Sequence, residues 1–302
     1  ADNLAGLLET WTDAEVDDRQ ERLARAYLLA GFNLYMLGAA HCSGALDEGP
    51  ELTTTQIFTE AESRFTSALG IAQSQGLTET ENAALVGRAR VRLFLGNTAG
   101  ALTDAQGVDA GFAMYIYPSD TPDRLRNQLY DADQFTFTFG VPEWTRNLTT
   151  GGAPDPRTAT FDTGETGSGW APTTVWAQTK YTAQSSPMPI ARYEEAQLII
   201  AEIQGGQTAV DIINALRAPH SLPVFASTNE TEIQNEVMLE RQRELWFEGH
   251  RANDVRRKSL PLFPAAGEPY QVGIKGGTYG DQTCIPMPII ESYNNETIRG
   301  GN

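Results

Sequence analysis

The sequence predicts an all-α protein of paired helices, interrupted in its middle by a long loop-rich segment. Apolar residues recur at intervals of three and four in residues 1–110 and again after residue 190, which is the period of helices that bury one face. Small residues alternate with large ones within those helices. Residues 111–189 are instead rich in Gly, Pro, Thr and aromatic residues and keep no helical period. We interpret residues 1–302 as a single domain made of these three parts.

Four helices are predicted in residues 1–110. The first covers about residues 17–40, and a loop with two glycines and a proline follows it at 43–51. The second begins at a capping Thr54 or Thr55 and ends at Gly76. The third and fourth cover about 78–94 and 99–106, separated by a turn. Small residues that alternate with large ones in paired helices are typical of tetratricopeptide-like packing, because close helix approach requires Ala or Gly.

Residues 111–189 are predicted to form an elaborated loop region, which in a compact chain is usually functional or mobile. The alternating residues Gln134–Phe139 suggest one short strand there. Residues 190–302 are predicted to contain helices over about 190–203, 208–217 and 230–249. A tail rich in Pro and Gly follows from residue 260.

Composition and charge exclude several classes of protein. The 302 residues are 20% charged and 40% hydrophobic, which is typical of a globular chain. The net charge of −17 repels phosphate backbones, so nucleic acid is not expected as a partner. No apolar run approaches the ~18–20 residues of a membrane-spanning helix. The chain begins at Ala1 without initiator Met or signal peptide, and we interpret it as a mature or trimmed product that carries no information on compartment.

The cysteines and histidines do not predict a metal site. Cys42 and Cys284 lack metal-ligand spacing, and the histidines His41, His220 and His250 lie far apart in the sequence. No EF-hand spacing is present either, and no cofactor is predicted. In a reducing compartment the cysteines are two unrelated buried thiols, whereas in an oxidising one they can form a disulfide that closes almost the whole chain. The residues alone leave both alternatives open.

The densest charged cluster lies at residues 240–257. Glu240, Glu244 and Glu248 recur every four positions, and His250 follows them. One interpretation is the acid/base site of a hydrolase. The favoured interpretation is that these Glu and the neighbouring Arg tie the helix to the rest of the fold, so no catalytic residue is predicted. P-loop, dinucleotide-binding and GxSxG nucleophile motifs are absent, although Ser168 lies between two glycines.

Aromatic residues are concentrated in the loop-rich segment, next to polar side chains. Aromatic rings pack against the C–H faces of sugar rings, while nearby donors and acceptors bind the hydroxyls. The same rings can alternatively pack the loops against the helical core. The predicted ligand-binding residues are Trp144, Trp170, Trp176, Tyr115 and Tyr117.

Four segments of the second half resemble the SusD-like (RagB/SusD) family of outer-membrane nutrient-binding lipoproteins. Arg192–Glu202 is similar to the family's R-Y-x-E-x-x-L-x-x-A-E helix, and Asn214–Arg217 to its I-N-x-x-R turn of helix. The segment Glu240–Arg257 is similar to E-R-R-x-E-L-x-F-E-G-x-R-x-x-D-L-x-R, and the closing segment Cys284–Asn295 to P-I-P-x-x-E-x-x-x-N-P. Their order and spacing match over about residues 180–296. The first half resembles the family's tetratricopeptide scaffold more loosely, and the chain is shorter than most members.

The resemblance implies a non-enzymatic protein that captures glycans or peptides on the outer face of the outer membrane. It implies a tether through a lipidated N-terminal Cys, which is not in this chain, and a SusC-like TonB-dependent transporter as partner. An extracellular location is oxidising and therefore favours a Cys42–Cys284 bridge. The alternative function is a structural helical scaffold that assembles with itself.

Overall fold

Helices dominate the computed structural model, which describes residues 1–167, 173–270 and 276–299. In chain order they are α1 Asp2–Thr10, α2 Arg19–Ala40, α3 Thr54–Gln75, α4 Thr78–Phe94, α5 Thr98–Gln106, α6 Gln128–Tyr130, α7 Tyr193–Gln204, α8 Gly206–Arg217, α9 Glu230–Glu244, α10 Arg251–Lys258, α11 Ile289–Asn294 and α12 Glu296–Arg299. The prediction of an all-α fold is therefore confirmed.

The strands are short and pair antiparallel in twos. They are β1 Ser43–Gly44, β2 Leu52–Thr53, β3 Ala113–Ile116, β4 Thr149–Thr150, β5 Ala153–Pro154, β6 Thr160–Thr166, β7 Thr174–Gln178 and β8 Met188–Arg192. The pairs are β1 with β2, β3 with β8, β4 with β5, and β6 with β7. Most of these strands lie within residues 111–189, so this loop-rich segment is folded as hairpins and turns.

The main hydrophobic core lies between α2, α3 and α4 and extends to α7. Phe32 on α2 meets Phe65 on α3 edge to face, with ring centroids 4.9 Å apart. A Cβ on Gly31 would lie 2.7 Å from the Phe65 ring, so the two helices approach closely only because Gly31 has no side chain. The alternation of small and large residues in the sequence reflects this packing.

The predicted strand Gln134–Phe139 is wrong. The chain continues from α6 into a single π-helical turn, Asp131–Phe135. Asp133 is fully buried and accepts a hydrogen bond from the Gln178 amide at 3.0 Å, and the Gln134 side chain donates to the carbonyls of Gln178 and Tyr181. Two consecutive side chains thus bond to the same neighbouring segment, which an extended strand with alternating faces does not allow.

Two predicted helix boundaries are also corrected. The helix expected from residue 190 begins at Tyr193, because the preceding residues form β8 and pair with β3. The helix expected over 230–249 ends at Glu244, and α10 is a separate helix. A turn separates them, in which Phe247 and Gly249 adopt positive φ angles of 58° and 81°. Helix α1 and the tail helices α11 and α12 were not predicted.

A disulfide between Cys42 and Cys284 attaches the tail to the end of α2, with the two Cα atoms 5.1 Å apart. Backbone hydrogen bonds flank it, from the Cys42 amide to the Ile285 carbonyl and from the Ile285 amide to the Ala40 carbonyl. The Asn295 side chain donates to the Gly49 carbonyl at 2.9 Å. The first and last parts of the chain are therefore joined both covalently and by hydrogen bonds. Within the described residues, no helix combines the length and apolar character needed to cross a membrane.

Candidate ligand-binding clefts

A cleft of about 520 Å³ opens between residues 137–146 and the hairpin formed by β6 and β7. We name it the tryptophan cleft, because Trp144 and Trp176 both line it. Its other aromatic lining residues are Phe137 and Phe139. Both tryptophans are partly exposed, so their rings are accessible to a ligand. The structure therefore unites two of the predicted ligand-binding residues, which lie 32 positions apart in the sequence.

Backbone and side-chain contacts hold these rings in place. The Val141 amide donates to the Trp176 carbonyl at 2.7 Å, which attaches the segment to β7. Arg146 donates through Nε to the Val141 carbonyl at 2.7 Å, and its guanidinium lies 4.9 Å from the Trp176 ring centroid. Trp144 meets Phe263 edge to face, with centroids 5.4 Å apart. The two tryptophans are thus positioned before any ligand arrives.

Two charged side chains of the tryptophan cleft keep hydrogen-bonding groups available for a ligand. Glu143 and Arg146 are the charged residues among its described lining. Within the described parts of the chain, neither the Glu143 carboxylate nor the terminal nitrogens of Arg146 have a hydrogen-bond or ion-pair partner. A carboxylate acceptor and guanidinium donors beside aromatic rings suit a ligand that carries both apolar faces and hydroxyls.

A second cleft, of about 370 Å³, is lined by Tyr115 on β3. We name it the tyrosine cleft. Tyr117 lies beside Tyr115, with ring centroids 6.3 Å apart, and the two residues are 75% and 39% exposed. Tyr181 and His220 also line this cleft, together with three prolines.

The predicted ligand-binding residues therefore do not form one group. Among the described residues, the tryptophan and tyrosine clefts share no lining residue. Trp170 lies outside the described residues.

A network of ion pairs lies beneath the tyrosine cleft. Its members, which we call the arginine–glutamate network, are Arg157, Arg192, Arg217, Glu240, Glu244 and Glu248. Arg192 donates to Glu244 at 2.6 Å and to Glu248 at 2.8 Å. Burial alone would lower the pKa of Arg192, but these two carboxylates raise it above its ordinary value. The network is charged, largely buried and internally paired.

The pairing leaves no free carboxylate for the hydrolase interpretation. Glu240 is 0% exposed, with one oxygen 2.5 Å from Arg157 and the other 3.0 Å from Arg217. Glu244 is bound by Arg157 and Arg192, which lower its pKa although burial opposes them. His250 is buried, and its burial and the charge of Arg90 lower its pKa well below 6.5. This arrangement holds helices together, with Glu240 and His250 buried inside it.

The turn at residues 245–249 connects the network with both clefts. The Phe247 ring meets Phe139 of the tryptophan cleft edge to face, with centroids 6.2 Å apart. The Tyr181 hydroxyl, at the tyrosine cleft, donates to the Phe247 carbonyl at 3.2 Å. Lys180 donates to the Trp246 carbonyl at 2.8 Å and pairs with Glu248. The sequence pattern predicted a helix over these residues, so this turn was not expected.

Metal binding has no support in the described residues, where His, Cys, Asp and Glu form no group of three able to hold an ion.

Comparisons with known proteins give a consistent result. The sequence profile of the SusD family matches residues 96–279, which is more than half of the chain. No curated protein matches the sequence.

Solved structures show the same fold at low sequence identity. A SusD superfamily protein from Parabacteroides distasonis has a TM-score of 0.65 at 14% identity, with 97% of this chain and 80% of that chain covered. A SusD-like carbohydrate-binding protein from Bacteroides vulgatus has a TM-score of 0.64 at 16% identity, covering 94% and 78%. The surface glycan-binding protein A from Bacteroides uniformis has a TM-score of 0.62 at 15% identity, covering 98% and 80%.

Proposed function

The chain belongs to the SusD family, and from this premise we propose that it is a non-catalytic protein that captures glycans in its tryptophan cleft. The observation that carries the proposal is that Trp144 and Trp176 line one cleft together with Glu143 and Arg146. Within the described residues, the Glu143 carboxylate and the terminal nitrogens of Arg146 have no hydrogen-bond or ion-pair partner. Two of the proteins with a similar fold are described as carbohydrate- or glycan-binding, which supports the ligand class.

The dimensions and chemistry of the cleft support a sugar ligand. Its volume of about 520 Å³ lies within the ~300–1,000 Å³ of most small-molecule sites. A pyranose ring can stack on an indole, while its hydroxyls bond to the Glu143 carboxylate and the Arg146 guanidinium. These two charges are opposite, so the local charge of the cleft is close to balanced, and a neutral sugar needs no counter-ion there.

The cellular location of the protein and its transporter partner complete the proposal. We place the protein on the outer face of the outer membrane, tethered by a lipid and delivering its ligand to a SusC-like TonB-dependent transporter. The Cys42–Cys284 disulfide supports an oxidising location. Proteomics of shaved cells and co-purification with the transporter test these two statements separately.

A screen by isothermal titration calorimetry tests the ligand and the site together, with neutral oligosaccharides and a peptide pool as probes. We expect an oligosaccharide to bind wild type, and W144A and W176A each to weaken it at least tenfold, which corresponds to ~1.4 kcal/mol. W11A is the matched control, because Trp11 is an exposed tryptophan at the end of α1 and lines neither cleft. Equal binding by W144A, W176A and W11A would exclude the tryptophan cleft, and binding of peptides alone would exclude glycans.

A self-assembling scaffold is the second candidate, because the outer face of α1 presents the large apolar residues Leu4 and Leu7 to solvent. Light scattering over a concentration series distinguishes the two. A strict monomer at high concentration excludes assembly through this face.

A further inference from the structure

The tyrosine cleft has the features of a second binding site. Tyr115 and Tyr117 place two large rings side by side at the surface, 6.3 Å apart. Pairing of Tyr115 with Pro189 fixes β3 against β8 and so fixes the first ring. Tyr117 is 75% exposed, so burial of its ring on folding contributes little to stability.

The polar lining of the tyrosine cleft is suited to hydroxyl groups. Within the described residues, the hydroxyls of Tyr115 and Tyr117 and the imidazole of His220 have no hydrogen-bond partner. The Thr179 hydroxyl donates to the Ala159 carbonyl at 3.1 Å, so its lone pairs remain able to accept. Donors and acceptors are therefore both present beside an aromatic surface.

The floor of the tyrosine cleft is rigid. Arg157, Arg192, Glu244 and Glu248 line it, and each is held by at least two charged partners. A floor that is fixed by buried ion pairs keeps its shape without ligand, which lowers the entropic cost of binding.

From these features we propose that the tyrosine cleft is a second glycan site, in which a sugar stacks on Tyr115 and Tyr117. The proposal rests on glycan binding at the tryptophan cleft as the proposed function. Two sites on one chain engage one long polysaccharide at once, and linked sites raise the affinity for the polymer far above that of either site alone. The chain then selects polymers over their short fragments.

Calorimetry with short and long glycans tests this proposal. The probes are maltohexaose, xylohexaose and mannohexaose, and the polymers amylopectin, xylan and mannan. For the hexasaccharide that binds, we expect two molecules per chain in wild type and one in the double variant Y115A/Y117A. Affinity for the matching polymer falls at least tenfold in that variant, whereas Y115F/Y117F keeps most of it because the rings remain. Y293A is the matched control, because Tyr293 is exposed and lies on α11, outside both clefts.

The outcomes separate this inference from the proposed function. One hexasaccharide per wild-type chain, with polymer affinity unchanged in Y115A/Y117A, overturns the second site and leaves the tryptophan cleft intact. Loss of all binding in Y115A/Y117A, with W144A and W176A unaffected, overturns both the two-site proposal and the tryptophan cleft. No binding of any probe by folded wild type overturns both as well.

A different observation carries a second inference, about the interior. A small cavity of about 10 Å³ lies where α2 and α4 meet α7, α9 and α10. Three buried polar atoms on its lining residues, namely Tyr35 Oη, Arg241 Nη1 and Asn253 Oδ1, make no hydrogen bond of normal geometry within the described residues. Each of the three residues is at least nine-tenths buried. Unsatisfied buried polar atoms are rare in proteins, and three at one cavity indicate an occupant.

We infer that one water molecule occupies this cavity and joins the two halves of the fold. The volume matches the ~10–15 Å³ that one water needs. A water molecule can accept a hydrogen bond from Arg241 Nη1 and donate one to Asn253 Oδ1. It can also donate to or accept from the Tyr35 hydroxyl, which gives the three hydrogen bonds typical of buried water. The three arginines around the cavity, Arg90, Arg241 and Arg257, disfavour a cation.

A crystal structure at a resolution better than about 1.8 Å tests the inference. We expect a density peak at ~2.7–3.2 Å from all three atoms. The peak remains in Y35F, which leaves two partners, and disappears in N253L, whose apolar side chain fills the space. An empty cavity in wild type overturns the inference, as does a direct hydrogen bond between Tyr35 and Asn253 with no peak beside them.

Discussion

The arginine–glutamate network and the tryptophan cleft use similar residue types in opposite ways. In the network every charge is buried against a partner, as with Glu240 between Arg157 and Arg217. In the tryptophan cleft, Glu143 and Arg146 are only three positions apart, yet neither forms an ion pair within the described residues. Most of the network thus comes from the segments that carry the family motifs, whereas the candidate ligand groups lie in the loop-rich segment. A family signature of this kind therefore predicts the fold and leaves the ligand open.

The strongest test of this contrast is to break the network at its centre. We expect E240Q to lower the free energy of unfolding by about 3–5 kcal/mol, because it leaves Arg157 and Arg217 buried with a weakened partner. Urea denaturation measures the effect. Glycan affinity of the folded variant stays the same, since Glu240 lines neither cleft.

The matched control for that experiment is E60Q on α3. Glu60 is exposed and pairs with Arg64 only at 3.3 Å, so we expect a change below about 0.5 kcal/mol. Equal unfolding midpoints for E240Q and E60Q would contradict a supporting role for the network.

Acid is expected to lower the free energy of unfolding by disrupting the buried ion pairs. Burial would raise the pKa of Glu202, but Arg257 lowers it to about 2, against an ordinary value of 4.5. The unfolded chain therefore binds a proton below pH 4.5 that the folded chain binds only near pH 2. Stability from Glu202 is complete above pH 4.5 and falls by up to about 3 kcal/mol as the pH drops toward 2.

His250 also lowers the stability of the fold in acid, beginning at a higher pH than Glu202. Its pKa lies well below 6.5 because it is buried beside Arg90, so the unfolded chain gains a proton below pH 6.5 that the folded chain does not. Stability therefore begins to fall below pH 6.5. Urea titrations at pH 7, 5.5, 4 and 3 measure both steps, and E202Q should flatten the lower one. A flat profile in wild type would be inconsistent with this account.

The smallest expected effect comes from replacing Phe247, which connects the turn at residues 245–249 with the tryptophan cleft. We expect F247A to cost about 1 kcal/mol of stability from its edge-to-face contacts with Phe139 and Trp246. It should also weaken glycan binding a few-fold, because Phe139 lines the tryptophan cleft. F135A is the control, since Phe135 is 56% exposed and lines neither cleft. Equal glycan affinities of F247A and F135A, measured by calorimetry, would contradict a role for this turn in shaping the tryptophan cleft.

The sequence predicts the helices of the first part well because each buries one apolar face against its neighbours. Ala61, Phe65 and Ala72 of α3, for example, all lie in the core at helical spacing. The failures arise where contacts distant in sequence decide the conformation. Where the strand predicted over 134–139 should begin, the chain forms a π-helical turn that ends at Phe135, and Asp133 in this turn binds the Gln178 amide, 45 positions away.

The candidate site was predicted by residue type and not by geometry. Tryptophans on loops indicated a binding surface, and the hydrogen bond from Val141 to Trp176 that brings two of them together leaves no local pattern in the sequence. The separation of the tyrosines into another cleft was equally invisible, because it depends on the pairing of β3 with β8 across some 75 residues. The partner of Glu240, Arg157, lies 83 positions away and was likewise not identified.

The disulfide between Cys42 and Cys284 makes a closed covalent ring of 242 residue steps, and the ring contains both clefts. A protease that cuts once within this ring opens it without releasing a fragment, because the two pieces remain linked through sulfur. Such a nicked molecule runs as one band on a gel without reductant and as two with it. A chain exposed to extracellular proteases can thus be cleaved at a surface loop and still hold its clefts on one connected body.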